Sequence, residues 1–475
     1  MLTRLIESFL VYTFNRAKRG IAAASVPAGA GDMLLGQTLS SGTGHASVPV
    51  TLSPAARMRH LYVLGATGTG KTNLLLRLIE SDIAARRTFC VIDLRGDLVD
   101  RILPRLVQEG TTAGAGERLL LIDLRSPERI VGFNPLAGPG EAYARAFHVL
   151  DVLRRQSDSW GIQLEETLRN ALLALAETGW SLLEVEPLLS HPAFRRTVLE
   201  GVSDSHVRAF FVRYGQLSED KQSQWRLPVL NKVTPLLAIP QLRLMLGQRR
   251  SFSFPPLLDG PPGRVILVAL AVDRLHSAAH LVGGLLVSAL QNAVMARVDQ
   301  PEAARVPVHL YVDEFEAMVT DPFASLLAEG RRFGLGLCLS HQNLGQLDAA
   351  LRQMLLANAH TQFYFQTGAR DAGELARELA TDEPKETVRA ALVGQKVGEA
   401  FLVRRGLSSV RLRTTPCPDP NTDAAQVLAI RDASLDTYAQ PRGELEQEMR
   451  EREASFYPLP APTEPRTPAQ ARPPG

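Results

Sequence analysis

Gly65-Ala66-Thr67-Gly68-Thr69-Gly70-Lys71-Thr72 spells a complete G-x-x-x-x-G-K-[ST] loop. Its glycines let successive backbone N–H groups turn inward around a phosphate. Lys71 is placed to reach β- and γ-phosphates, and the Thr72 hydroxyl to hold Mg²⁺. The flanks suit this reading. Leu61-Tyr62-Val63-Leu64 reads as a buried strand entering the loop, and Asn73-Leu74-Leu75-Leu76-Arg77-Leu78-Ile79 as a helix whose N-terminus adds its dipole to an anion site. The expected nucleotide-contacting set is Gly65, Ala66, Thr67, Gly68, Thr69, Gly70, Lys71, Thr72 and Asn73, with ATP and Mg²⁺ as the implied ligands.

Outward from the loop, apolar runs alternate with helical segments. Thr88–Asp93 and Leu119–Asp123 are the next strands, and the pattern resumes at Val265–Leu270, Val308–Asp313, Gly336–Ser340, Gln362–Gln366 and Ala400–Val403. Strands alternating with helices predict an α/β fold with a mostly parallel sheet covered on both faces. Between about Glu141 and Phe254 the periodicity is purely helical, as in Leu164–Leu173, so an all-α domain interrupts the sheet-forming chain. The expected units are residues 1–59 (a terminal helix and small β-rich lead-in), 60–140 and 259–415 (the two parts of the sheet domain), 141–258 (the helical insertion) and 416–475. The last contains a charge-dense exposed helix at 443–453 and, after Tyr457, a proline-rich end with too little apolar matter to order itself.

A phosphate loop alone implies binding. Hydrolysis needs a second element, and Val308-His309-Leu310-Tyr311-Val312-Asp313-Glu314 supplies it: an apolar strand ending in two carboxylates. Asp313 is expected to join Thr72 around Mg²⁺, and Glu314 to orient and deprotonate the attacking water. Ser340-His341-Gln342 ends the following apolar strand, where the Gln342 amide can contact water and γ-phosphate; His341 reads as structural or exposed. Arg331 and Arg332, in Glu329-Gly330-Arg331-Arg332-Phe333-Gly334, are candidates for an arginine supplied to a neighbouring subunit's site, with Arg370 in reserve. The pairs Arg154-Arg155, Arg195-Arg196 and Arg249-Arg250 read as plain surface, with DNA phosphates as the alternative.

The formal net charge of +2 over 475 residues argues against a generally basic nucleic-acid binder, so any such surface must be local. Three cysteines stand far apart without metal-ligand spacing; Cys90 and Cys338 lie in strand-like runs as small hydrophobes, and a reducing cytoplasm fits. No stretch is expected to reach the roughly 18 apolar residues of a membrane span; Val265–Val272 and Leu281–Leu290 are too short. Leu2–Phe14, followed by Arg16, Lys18 and Arg19, is amphipathic, fitting a membrane surface or packing on the protein itself or on a partner.

These residues, in this order, resemble the additional-strand (RecA-like) P-loop ATPases of the HerA/FtsK group, and within it the coupling proteins of type IV secretion and conjugation. The resemblance covers roughly residues 45–415. It is carried by His60–Asn73, Val91–Leu98, Phe133-Asn134-Pro135-Leu136, Trp160-Gly161, Tyr311–Phe315, Glu329–Leu335, His341-Gln342 and Ala357-Asn358-Ala359. It implies a ring-shaped, usually hexameric DNA translocase whose sites are completed by the adjacent subunit. A relaxase or secreted protein is the implied cargo, and the helical insertion is associated with substrate selection. Asp93-Leu94-Arg95-Gly96-Asp97 departs from the family's Asp-Pro-Lys/His-Gly-Asp, and the transmembrane pair typical of coupling proteins has no counterpart in the sequence. A separate membrane partner docking on residues 1–19, at the inner face of the cell membrane, would reconcile the two. The alternatives are a cytoplasmic HerA-like motor for DNA end processing or defence, and a nucleotide-gated recruitment platform for secreted proteins.

Overall fold

The computed structural model describes residues 31–39, 47–110, 115–138, 140–155, 157, 159–318, 321–379, 381 and 383–456. The amphipathic segment expected at 2–14 and the proline-rich end after Tyr457 lie outside the described residues.

Among the described residues thirteen strands follow in chain order: β1 Met33–Thr38, β2 Pro49–Leu52, β3 Leu61–Leu64, β4 Thr88–Asp93, β5 Leu119–Asp123, β6 Arg129–Val131, β7 Val265–Ala269, β8 Val308–Asp313, β9 Leu335–His341, β10 Thr361–Tyr364, β11 Glu399–Arg404, β12 Val410–Thr414 and β13 Ala439–Pro441. Eleven form one sheet in the order β2-β1-β12-β11-β10-β3-β9-β8-β4-β7-β5, and β6 pairs with β13 apart from it. Every pair from β10 across to β5 is parallel. The pairs from β10 out to β2 are antiparallel. The β-rich lead-in is therefore the antiparallel edge of the main sheet, joined to it through β12.

The parallel strands are near-continuous apolar runs because both faces are covered. Alternate residues feed two cores: Leu61, Val63, Phe89 and Val91 pack beneath the Lys71–Ala84 and Asp97–Gln108 helices. Tyr62, Leu64, Cys90 and Ile92 pack on the opposite face with the Ser277–Met295 helix. That helix, extended to Asp299, is long and apolar enough to cross a membrane by length and composition, contrary to the expectation from shorter windows. Of its most apolar 18-residue window 67% is buried, however, and it serves as a core helix. The thiols of Cys90, Cys338 and Cys417 are buried as well.

Between β6 and β7 the chain is helical, with the longer pieces at Ala142–Arg155, Ile162–Thr178, Ser205–Gly215 and Glu219–Leu237. Their own interior of Leu168, Leu172, Phe210, Phe211, Tyr214 and Val229 is continuous with that of the sheet. The basic pairs here are partly consumed by the fold. Arg154 and Arg155 pair with Asp151 at 3.4 and 3.2 Å, Arg195 donates to the Leu188 and Leu189 carbonyls, and Arg249 lies 4.4 Å over the Trp180 ring. The C-terminal helix Arg442–Phe456 is mostly exposed, as its charge density predicts, but it is anchored along one side. Leu445, Met449 and Phe456 are buried, Phe456 packs on Phe194 and Trp180, and Arg452 pairs with Glu184 at 3.2 Å. Its net charge conceals a sparse apolar stripe along one side.

Candidate nucleotide site

The site is built at the carboxyl ends of β3, β9, β8 and β4, where parallel α/β sheets bind ligands. The loop strand β3 and the acidic strand β8 are not neighbours; β9 lies between them. The register pairs Leu64 with His341 and Asp313 with Ser340, so Gln342 emerges between the phosphate loop and the acidic turn.

The loop itself is sterically determined. A Cβ on Gly65 would stand 2.5 Å from Phe365 Cβ, and Gly70 has φ +118°. Gly70 is the N-cap of the Lys71–Ala84 helix, and no side chain caps that end, leaving its first amides for an anion. Thr69 Oγ1 donates to the Ala66 carbonyl at 2.7 Å. Lys71 is buried and donates to the Gly65 and Ala66 carbonyls at 2.6 and 3.1 Å. Burial lowers its pKa, against the pull of Asp313, Glu314 and Glu316. Asn73 is one turn inward, its amide holding the Thr415 carbonyl and the Cys417 N–H at 2.9 and 2.7 Å.

At the end of β8, Asp313 Oδ1 accepts from Ser340 Oγ at 2.7 Å and from Glu314 N at 3.2 Å. Burial, with Asp93 and Glu314 nearby, raises the Asp313 pKa despite the Ser340 bond. Glu314 takes φ +52°, a left-handed conformation that costs a non-glycine residue on the order of 1–3 kcal/mol. It directs the carboxylate to Gln342, whose Nε2 donates to Glu314 Oε1 at 2.7 Å. Asp93, at the end of β4, accepts from the backbone N–H groups of Arg95, Leu98 and Val99. It thereby caps the next helix while adding negative charge beside Asp313. His341 is structural: it is fully buried, hydrogen-bonded to the Tyr62 hydroxyl, and burial depresses its pKa to about 3.

Glu316 was not anticipated. Two residues past Glu314, it accepts from Gln346 Nε2 at 2.8 Å, and its pKa rises to about 7 through burial and the neighbouring Glu314 and Asp313. Asp313, Glu314 and Glu316 thus share one lysine, with Asp93 close to Asp313. Hard oxygen donors of this kind suit a divalent cation such as Mg²⁺. Among the described residues no three carboxylates, cysteines or histidines converge as a metal site by themselves, and Thr72 and Asp313 are the residues that would hold the ion beside a nucleotide's phosphates.

Arg331 and Arg332 lie elsewhere. They are exposed in the turn Gly330–Phe333 ahead of β9, at the opposite end of that seven-residue strand. This puts them about 20 Å from their own phosphate loop. Arg331 is joined there by arginines that sequence reading did not connect. Burial, then Arg59, Arg405, Arg404 and Arg331, lower the pKa of His360, and burial, with Arg331 second, brings His60 to about 4. Arg370 opens the Ala369–Glu378 helix after β10, on the phosphate-loop side of the sheet.

A phosphate loop, an intervening strand and an Asp-Glu strand end define the class: a P-loop ATPase with the additional-strand, RecA-like sheet. The comparisons agree. Residues 35–137 match the family described as "Helicase HerA, central domain". The bacterial conjugative coupling protein TrwB, lacking its first 70 residues, superposes with a TM-score of 0.58 at 18% identity, covering 86% of this chain and 94% of its own. The same protein with the ATP analogue ADPNP also superposes at 0.58 and 18%, covering 84% and 98%. VirB4 of Thermoanaerobacter pseudethanolicus gives 0.52 at 15%, covering 81% and 96%. At these identities the likeness is one of fold. No curated protein matches the chain by sequence.

Proposed function

We propose that this chain is an Mg²⁺-dependent ATP hydrolase that drives DNA, with or without attached protein, through a ring of its own copies, in the manner of a conjugative coupling protein. The observation that carries hydrolysis is the Gln342–Glu314 pair, set between the phosphate loop and Asp313. Glu314 takes a proton from water as the water oxygen attacks the γ-phosphorus in line and the bond to the ADP oxygen breaks. Lys71 and the amides at the start of its helix stabilise the phosphoryl charge. Mg²⁺, when bound through Thr72 and Asp313, supplies further positive charge to the phosphates.

The charge asymmetry of the sheet supports an assembly of identical copies. Carboxylates crowd its phosphate end, and Arg59, Arg331, Arg404 and Arg405 gather at the other. Head-to-tail stacking brings unlike ends together, and a rotation that closes makes a ring. Arg331 or Arg332 of one copy then completes the site of the next; a hexamer is the expected count. The structures of this fold include a conjugative coupling protein and VirB4, which supports a role in secretion or conjugation, with residues 141–258 as the cargo-facing unit. The motor belongs in the cytoplasm, at the inner face of the membrane if residues 1–19 dock a membrane partner.

The test is ATP turnover of purified protein with and without DNA. Stimulation by DNA is expected, and turnover indifferent to both single and double strands contradicts the motor. The HerA central-domain match favours one second reading, a cytoplasmic motor acting with a nuclease on DNA ends. Co-purification with a nuclease rather than with secretion proteins would select it.

A further inference from the structure

The segment after β9 is tied down at both ends. Gln342 Nε2 donates to Glu314 Oε1 at 2.7 Å, and four residues later Gln346 Nε2 donates to Glu316 Oε1 at 2.8 Å. Gln346 also uses its Oε1 to accept the Asn343 N–H at 3.1 Å, closing the turn Leu344–Gln346 as a capping box. Leu344 N donates to buried Asp371 at 2.9 Å. Glu316 is placed at an electrostatic disadvantage among Asp313 and Glu314, and its Oε2 is buried with no hydrogen-bond partner among the described residues.

We propose that Glu316 is a positioning residue for hydrolysis: through Gln346 it anchors the turn that carries Gln342. The sensor amide can then exchange Glu314 for the γ-phosphate and its water by side-chain rotation, without dragging the turn along. This rests on the ATPase reading above. The role needs an acceptor at Oε1 and not a charge. It also separates the two glutamines, Gln342 as the group that moves and Gln346 as the fixed hinge pin.

Steady-state ATP turnover of Glu316→Ala, Glu316→Gln, Gln346→Ala and the Glu316→Ala/Gln346→Ala double variant tests it. Gln346 is exposed, so its truncation leaves the core intact. The expectation is a roughly ten-fold fall in kcat for either alanine variant with KM for ATP within about two-fold. The double variant should be no worse than either single one, and Glu316→Gln should recover to within about three-fold of wild type. Wild-type kcat in both alanine variants, additive losses, or a Glu316→Gln as impaired as Glu316→Ala would overturn the anchor. A wild-type protein without ATP turnover would instead overturn the ATPase reading itself.

Discussion

Gln342 donates its Nε2 hydrogen to Glu314 Oε1 at 2.7 Å, joining the end of β9 to the end of β8. The bond occupies the carboxylate proposed to take the proton from water, so under that proposal the pair is a resting arrangement that γ-phosphate binding would break. Gln342→Ala removes both the restraint and the phosphate contact. Its kcat should fall about 10–100-fold with nucleotide affinity close to wild type, as read by turnover and by fluorescent-nucleotide titration.

The distance of Arg331 from its own loop makes its role testable by mixing. Arg331→Ala and Glu314→Gln should each be nearly inactive alone. Mixed one to one, roughly a quarter of interfaces join an intact Glu314 to an intact Arg331, and activity should return in that proportion. Absence of recovery in a demonstrated mixed assembly would place the arginine outside the neighbouring site. Arg332→Ala, tested alongside, identifies which of the two acts.

Glu316 also sets a pH dependence of stability. Its pKa rises from the ordinary 4.5 to about 7, so the native state retains a proton that the unfolded chain releases across that window. The associated stability is present at low pH and lost as pH rises through 7. An amide cannot ionise. Glu316→Gln should therefore match wild type near the bottom of the window and exceed it by on the order of 1 kcal/mol at about pH 8, after allowance for solvent around this partly exposed group. Thermal melts at both pH values check the sign.

Away from the site, Asp82 is fully buried and holds Arg57 at 2.7 Å, the Tyr311 hydroxyl at 2.6 Å, His309 Nδ1 at 3.0 Å and Arg87 at 3.3 Å. The network binds the phosphate-loop helix to β8. Asp82→Ala leaves a buried guanidinium without its counter-charge and should destabilise the fold by about 3–5 kcal/mol, measurable by urea denaturation.

Much of this was legible in sequence because the chemistry is local. The loop glycines, the Leu61–Leu64 strand and the Asp313-Glu314 strand end each declare themselves within eight residues, and Gln342 follows the next apolar run. What stayed hidden depends on distant partners. Pro49–Leu52 joins the main sheet only through β1 and a strand some 360 residues later. Arg59, Arg331, Arg404 and Arg405 become one patch only when the amino ends of β3, β9 and β10 align with the end of β11. Glu316 gave no signal in the sequence because its partner, Gln346, lies in a different turn. In the C-terminal helix, composition correctly pointed to solvent for most residues and hid only the three apolar side chains that anchor one side.

The central claim, a carboxylate-driven ATPase coupled to DNA, is tested most directly by ATP turnover of Glu314→Gln against wild type, with and without DNA. The account predicts DNA-stimulated turnover in wild type and a loss of about 100-fold or more in the variant, with ATP binding retained. Equal turnover in the two proteins, or no DNA response in wild type, would contradict it.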